Sequence, residues 1–133
     1  MNWKQQHNLS LISKLISDVW DLHSKFTSEI YKLAYGFSIH TTEDEYKSIY
    51  SELVQIAVPL RTKAQQLQIL FEGKIDHKSW ELLQNYINYL EYFYPWNAID
   101  FLEFRDCRHD FNTEFRHADS SIIHVCQKYI SLE

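Results

Sequence analysis

Two glycines and two prolines are all that this 133-residue chain contains. An all-β domain needs a turn signal roughly every 8–12 residues, so this supply excludes one and favours long unbroken helices. Cysteine is equally scarce. Cys107 and Cys126 cannot build a scaffold of several bridges. Both fall on apolar helical positions, where reduced packing residues are expected. No apolar run reaches the roughly 18–20 residues that a membrane span requires. The first fifteen residues lack the apolar core of a signal peptide. A cytoplasmic chain with no membrane partner is expected. The length suits one domain over residues 1–133, because a second would be too small to bury its own core.

Positive charge is missing where it would matter for nucleic acid. The net charge is −5, and residues 79–104 hold no Lys or Arg while carrying Glu81, Glu91, Asp100 and Glu103. Affinity for phosphate backbones rests on Lys and Arg, so a nucleic-acid partner is not expected.

What is present is helical periodicity. Ile12, Leu15, Ile16, Val19, Leu22, Phe26, Ile30, Leu33 and Phe37 recur at three- and four-residue steps, predicting a first helix over about 9–35. Gly36 is read as its stop, in a left-handed conformation. Thr42 and Glu45 form a capping box that opens a second helix. Its stripe runs through Tyr46, Ile49, Leu53, Ile56, Leu60, Ala64, Leu67 and Phe71 to a stop at Gly73. Pro59 in its middle predicts a kink or short break. A third helix is expected from the N-cap Asp76 to about Tyr94, before Pro95. A fourth is expected from about Trp96 or Asn97 towards Ile130, with a bend or break across 118–121. Together these predict an all-α, single-domain antiparallel bundle of about four long helices.

Chemistry is harder to find. Glu114 and His117 have the Glu-x-x-His spacing of bundle di-iron sites, but that pattern needs a second copy and two further glutamates, and only one copy exists. No metal and no cofactor are expected. His117 and His124 are placed facing solvent. His23 sits inside the first apolar stripe, where a histidine needs a hydrogen-bond partner or loses its charge. A satisfied core residue is the expected role, with a ligand-binding role as its rival. Arg105 and His109, or Arg108 and His117, do not have the arginine–histidine spacing of the HEPN helical ribonucleases. Glu43, Asp44, Glu45 and Glu52 lack the second acidic helix of the all-α nucleotide pyrophosphatases. No nucleophile motif is present, so no catalytic residue is assigned.

The most informative stretch is the third helix and its exit. Residues 80–104 hold nine of the 21 aromatics. Trp80, Leu83, Ile87, Leu90 and Tyr94 form one stripe, with Leu82, Tyr86, Tyr89 and Phe93 beside it. Such width fits either a helix packed on two neighbours or an exposed docking surface. With the missing bases, it suggests an acidic, aromatic surface for a basic protein. Glu81, Tyr86, Tyr89, Glu91, Tyr92, Trp96, Asp100 and Glu103 are its candidate residues. In composition and class the chain resembles bacterial immunity proteins that block nuclease toxins, and some phage-encoded inhibitors. That likeness implies a non-enzymatic inhibitor. The alternatives are a metal- or ligand-binding bundle built on His23, and a homodimer joined through the second stripe of the third helix.

Overall fold

A computed structural model describes residues 3–72, 77–93 and 100–130. Four helices and no strands occur among them: α1 (Trp3–Ala34), α2 (Glu43–Phe71), α3 (His77–Leu90) and α4 (Phe101–Ile130). The chain is all-α, and it is the apolar stripes that bury. Val19, Phe26, Ile30 and Leu33 of α1 face Leu53, Leu60, Ala64 and Leu67 of α2, all without solvent access.

Contacts along the helices give their directions. Asp18 pairs with Lys63, while Phe37 and Tyr46 both reach Phe104, so α1 and α2 run antiparallel. Gln68 meets Gln84 and Tyr50 meets Phe93, which makes α2 and α3 antiparallel. His23 meets Asp119 and Tyr31 meets Phe115, so α4 runs back along α1. A cluster of rings sits at one end of the described bundle: Phe37, Tyr46, Phe101, Phe104 and Phe111 lie edge-on or tilted against one another. Such contacts add to the area these side chains bury.

Several local expectations change. Thr42 caps α2 by accepting from the Glu45 amide at 3.1 Å. The helix then stays continuous across Pro59, with no break. Pro59 and Gln55 are both exposed, so the carbonyl that Pro59 leaves without an amide donor lies on the solvated side. α4 is likewise unbroken through 118–121. Ser121 returns its hydroxyl to the His117 carbonyl at 2.9 Å and Asp119 is engaged elsewhere, so this polar stretch needs no turn. Gly36 is not left-handed. Glycine is needed there because a Cβ would lie 2.7 Å from the Lys32 carbonyl oxygen. Cys126 is buried as expected, but Cys107 is exposed. Gly73, Asp76, Tyr94 and Pro95 lie outside the described residues.

α3 ends at Leu90, four residues short of the expected stop. The amides of Glu91, Tyr92 and Phe93 then bond to carbonyls three residues back, at 3.1–3.2 Å. That tightening turns Phe93 into the core and leaves Tyr92 67% exposed.

Candidate functional site

The broad aromatic face of α3 is mostly interior. α3 packs on α2 and α4 and reaches α1 across the core through Tyr89 against Phe26, and Phe93, just past the end of α3, meets the same ring. Tyr86 is 0% exposed, which removes it from any docking surface. It faces the core because its hydroxyl has a partner there. Of the second stripe, expected as a possible dimer face, Tyr86 and Phe93 are buried, while Leu82 and Tyr89 are partly buried.

The partner of Tyr86 is His23. The histidine is 3% exposed, with Nδ1 2.7 Å from Tyr86 Oη and Nε2 2.7 Å from Asp119 Oδ1. Thr27 Oγ1 lies 3.4 Å from Nε2, and the Phe115 ring stacks on the imidazole. Burial pulls the His23 pKa below its usual value, outweighing the hydrogen bond and charge of Asp119. Burial also drives the Tyr86 hydroxyl well above its usual range. A neutral imidazole beside a carboxylate and a phenol has one satisfying arrangement. Tyr86 O–H donates to Nδ1, and Nε2–H donates to Asp119. The network joins α1, α3 and α4. Both ring nitrogens are already engaged and Tyr86 has no solvent exposure, so the arrangement is that of a structural clamp.

The open site lies between α3 and α4. Asn85, Asn88, Tyr89 and Tyr92 line one wall; Glu114, His117, Ala118 and Ser121 line the other, with Ser120 beside them. Each wall repeats the same i, i+3, i+4, i+7 spacing, Tyr92 standing two residues past the end of α3. The groove measures about 590 Å³. Among the described residues Glu114 is its one carboxylate, and neither Lys nor Arg lines it. Asn88 is oriented from below: Gln68 donates to Gln84 at 2.8 Å, and Gln84 donates to Asn88 at 2.9 Å.

A smaller pocket of about 100 Å³ adjoins it, walled by Tyr50, Tyr89, Tyr92, Phe93, Phe104 and Phe111, with Glu114. It shares Tyr89, Tyr92 and Glu114 with the groove. The Tyr89 hydroxyl is buried and has no hydrogen-bond partner among the described residues. Its pKa is raised, first by burial and then by the charges of Glu114 and Tyr50. Buried polar groups are nearly always paired, which makes this hydroxyl unusual.

The structure thus gathers Tyr89 and Tyr92 from the expected residues. Glu91 is exposed, 3.7 Å from Arg61. Glu81 is exposed and bridges to His77 at 2.8 Å. Asp100 and Glu103 open α4, where the Asp100 carboxylate accepts from the Leu102 amide at 3.1 Å. Trp96 lies outside the described residues. Sequence reasoning missed Asn85, Asn88, Ser120 and Ser121, and read Glu114 and His117 only as a half metal motif. Their matched polar spacing on two consecutive helices was the available signal. Among the described residues no group of three His, Cys, Asp or Glu side chains stands ready for a metal, and no helix is long and apolar enough to cross a membrane. No family model, curated protein or solved structure matches the chain.

Proposed function

We propose that this chain is a non-enzymatic binding protein that takes a basic partner protein in the α3–α4 groove. The observation that carries this reading is the shared wall of Tyr89, Tyr92 and Glu114, in a groove that no Lys or Arg lines among the described residues. An exposed tyrosine beside a carboxylate suits a basic contact, and rim charge guides encounter. The base-free run of residues 79–104 extends the acidic character around it. A bacterial or phage-type inhibitor of a nuclease toxin, acting in the cytoplasm, is the class this surface suits.

The rival readings lose their anchors. A His23 metal or ligand site would have to break one of two 2.7 Å hydrogen bonds. A homodimer through the second α3 stripe would have only Leu82 and Tyr89 partly free for it, since Tyr86 and Phe93 are buried.

Co-expression with the product of the adjacent gene, followed by size exclusion and calorimetry, tests the proposal. Tyr92→Ala and Glu114→Lys should each weaken the complex by about 2 kcal/mol or more, roughly 30-fold in Kd. A complex indifferent to both substitutions, or no complex, overturns it.

A further inference from the structure

Hydrogen bonds already made fix what each wall of the α3–α4 groove still offers. On α3, Gln84 donates to Asn88 Oδ1 at 2.9 Å and is itself held by Gln68, so Asn88 is left with its Nδ2 hydrogens to give. On α4, Ser121 spends its hydroxyl proton on the His117 carbonyl at 2.9 Å, so its oxygen is left to accept. One wall donates where the other accepts. Phe93 meets Phe111 while Tyr86 joins Asp119 through His23, so α3 and α4 run antiparallel. Walls of equal spacing then set Asn85 opposite Ser121, Asn88 opposite Ala118 and Tyr92 opposite Glu114.

Main chain meets this pattern. The carbonyl and N–H of a trans peptide unit point to opposite sides of the chain, so a strand laid along the groove turns an acceptor to one wall and a donor to the other. A helix lying there has bonded its amides to its own carbonyls and offers neither. The buried Ala118, facing Asn88, keeps that part of the floor low enough for a backbone. From Asn85 to Tyr92 the wall is about 10 Å long at the rise of a helix, the span of about three extended residues. Glu114 and Tyr92 stand exposed at one end, one turn from Asn88.

We infer that the groove takes an extended segment of its partner, about three residues long, and not a helix. Asn88 Nδ2 donates to a carbonyl of that segment, Ser121 Oγ accepts from one of its amides, and a cationic side chain reaches Glu114 beside the Tyr92 ring. Gln84 is a positioning residue, since it touches the segment only through Asn88. That the segment belongs to a basic protein rests on the groove reading; the choice of extended main chain does not.

The probe is the flexible pentapeptide acetyl-Gly-Gly-Lys-Gly-Gly-amide, titrated into the ¹⁵N-labelled full chain. One comparator carries norleucine in place of lysine, and another holds a single lysine on a side-chain-stapled helix. Saturable shifts at the Asn88 side-chain NH₂ and at the Ser121 and Glu114 amides are expected with the lysine pentapeptide. Norleucine should bind about 10-fold more weakly, and the stapled helix should leave the Asn88 NH₂ unmoved. Asn88→Ala and Ser121→Ala should each weaken the pentapeptide about 3- to 5-fold, with unchanged thermal melts showing that both variants fold. Gln84→Leu should weaken it several-fold while the preference for lysine over norleucine stays the same. No shift with the pentapeptide, equal binding of norleucine or of the stapled helix, or indifference to Asn88→Ala each overturns the inference. If the peptides fail while Tyr92→Ala and Glu114→Lys still break the partner complex, the extended segment falls and the groove stands. If the peptides behave as expected while the complex ignores both groove substitutions, the partner reading falls and the recognition of extended chain stands.

Discussion

Asp119 accepts a 2.7 Å hydrogen bond from His23 Nε2, across 96 residues of chain. Side-chain exposure is 4% at the histidine and 29% at the aspartate, so the pair runs from the core to the edge of solvent. Its position ties the middle of α1 to the third turn from the end of α4 and, through Tyr86, to α3.

Removing one end of that chain leaves the rest buried and unsatisfied. Asp119→Ala should destabilise the fold by about 1–3 kcal/mol. Tyr86→Phe keeps the ring but strips Nδ1 of its donor, and should cost about 1 kcal/mol. Urea unfolding followed by circular dichroism measures both. A loss below 0.5 kcal/mol for Asp119→Ala, on the order of a neutral surface change, would contradict the clamp.

Stability should fall in mild acid. The folded His23 pKa is lowered from 6.5, so below that value the unfolded chain binds a proton that the folded chain refuses. The stability this group contributes is present above 6.5 and is lost as pH falls from there through the folded value. The limiting slope for one proton is about 1.4 kcal/mol per pH unit. Melting temperatures of wild type and His23→Gln across this range check it: the wild type should show the extra acid sensitivity.

Pro59 sits inside a continuous helix, where proline is about 3 kcal/mol worse than alanine. Pro59→Ala restores a donor for the Gln55 carbonyl, while giving the unfolded chain back about 0.4–1 kcal/mol of entropy. A net gain of about 1–3 kcal/mol in unfolding free energy is expected. A lower melting temperature would show that the backbone has adapted to the proline.

The two thiols should separate cleanly. Burial pushes the Cys126 thiol up to about 12, whereas Cys107 is exposed. A chromogenic disulfide reagent should label one thiol rapidly in the native chain and the second only in denaturant. Cys107→Ser should abolish the fast phase. Two rapid equivalents would mean that the α4 core opens readily.

Local features of this protein were determined by sequence alone. The helix class, the apolar stripes, the Thr42 cap and the buried place of His23 all follow from neighbours within a turn or two, where a 3.6-residue period dictates which side chains share a face. What only the tertiary structure decided is how those faces meet. Whether the double stripe of α3 was core or surface depended on how many helices covered it, and packing against α2, α4 and α1 made Tyr86 interior. The partner of His23 stands 96 residues away on another helix, beyond the reach of any spacing rule. Glu114 and His117 read as half of a metal motif, because nothing local reveals that Asn85, Asn88 and Tyr92 would face them. A groove belongs to two elements at once. Its walls can be periodic in sequence, but their pairing is set only when the core has closed.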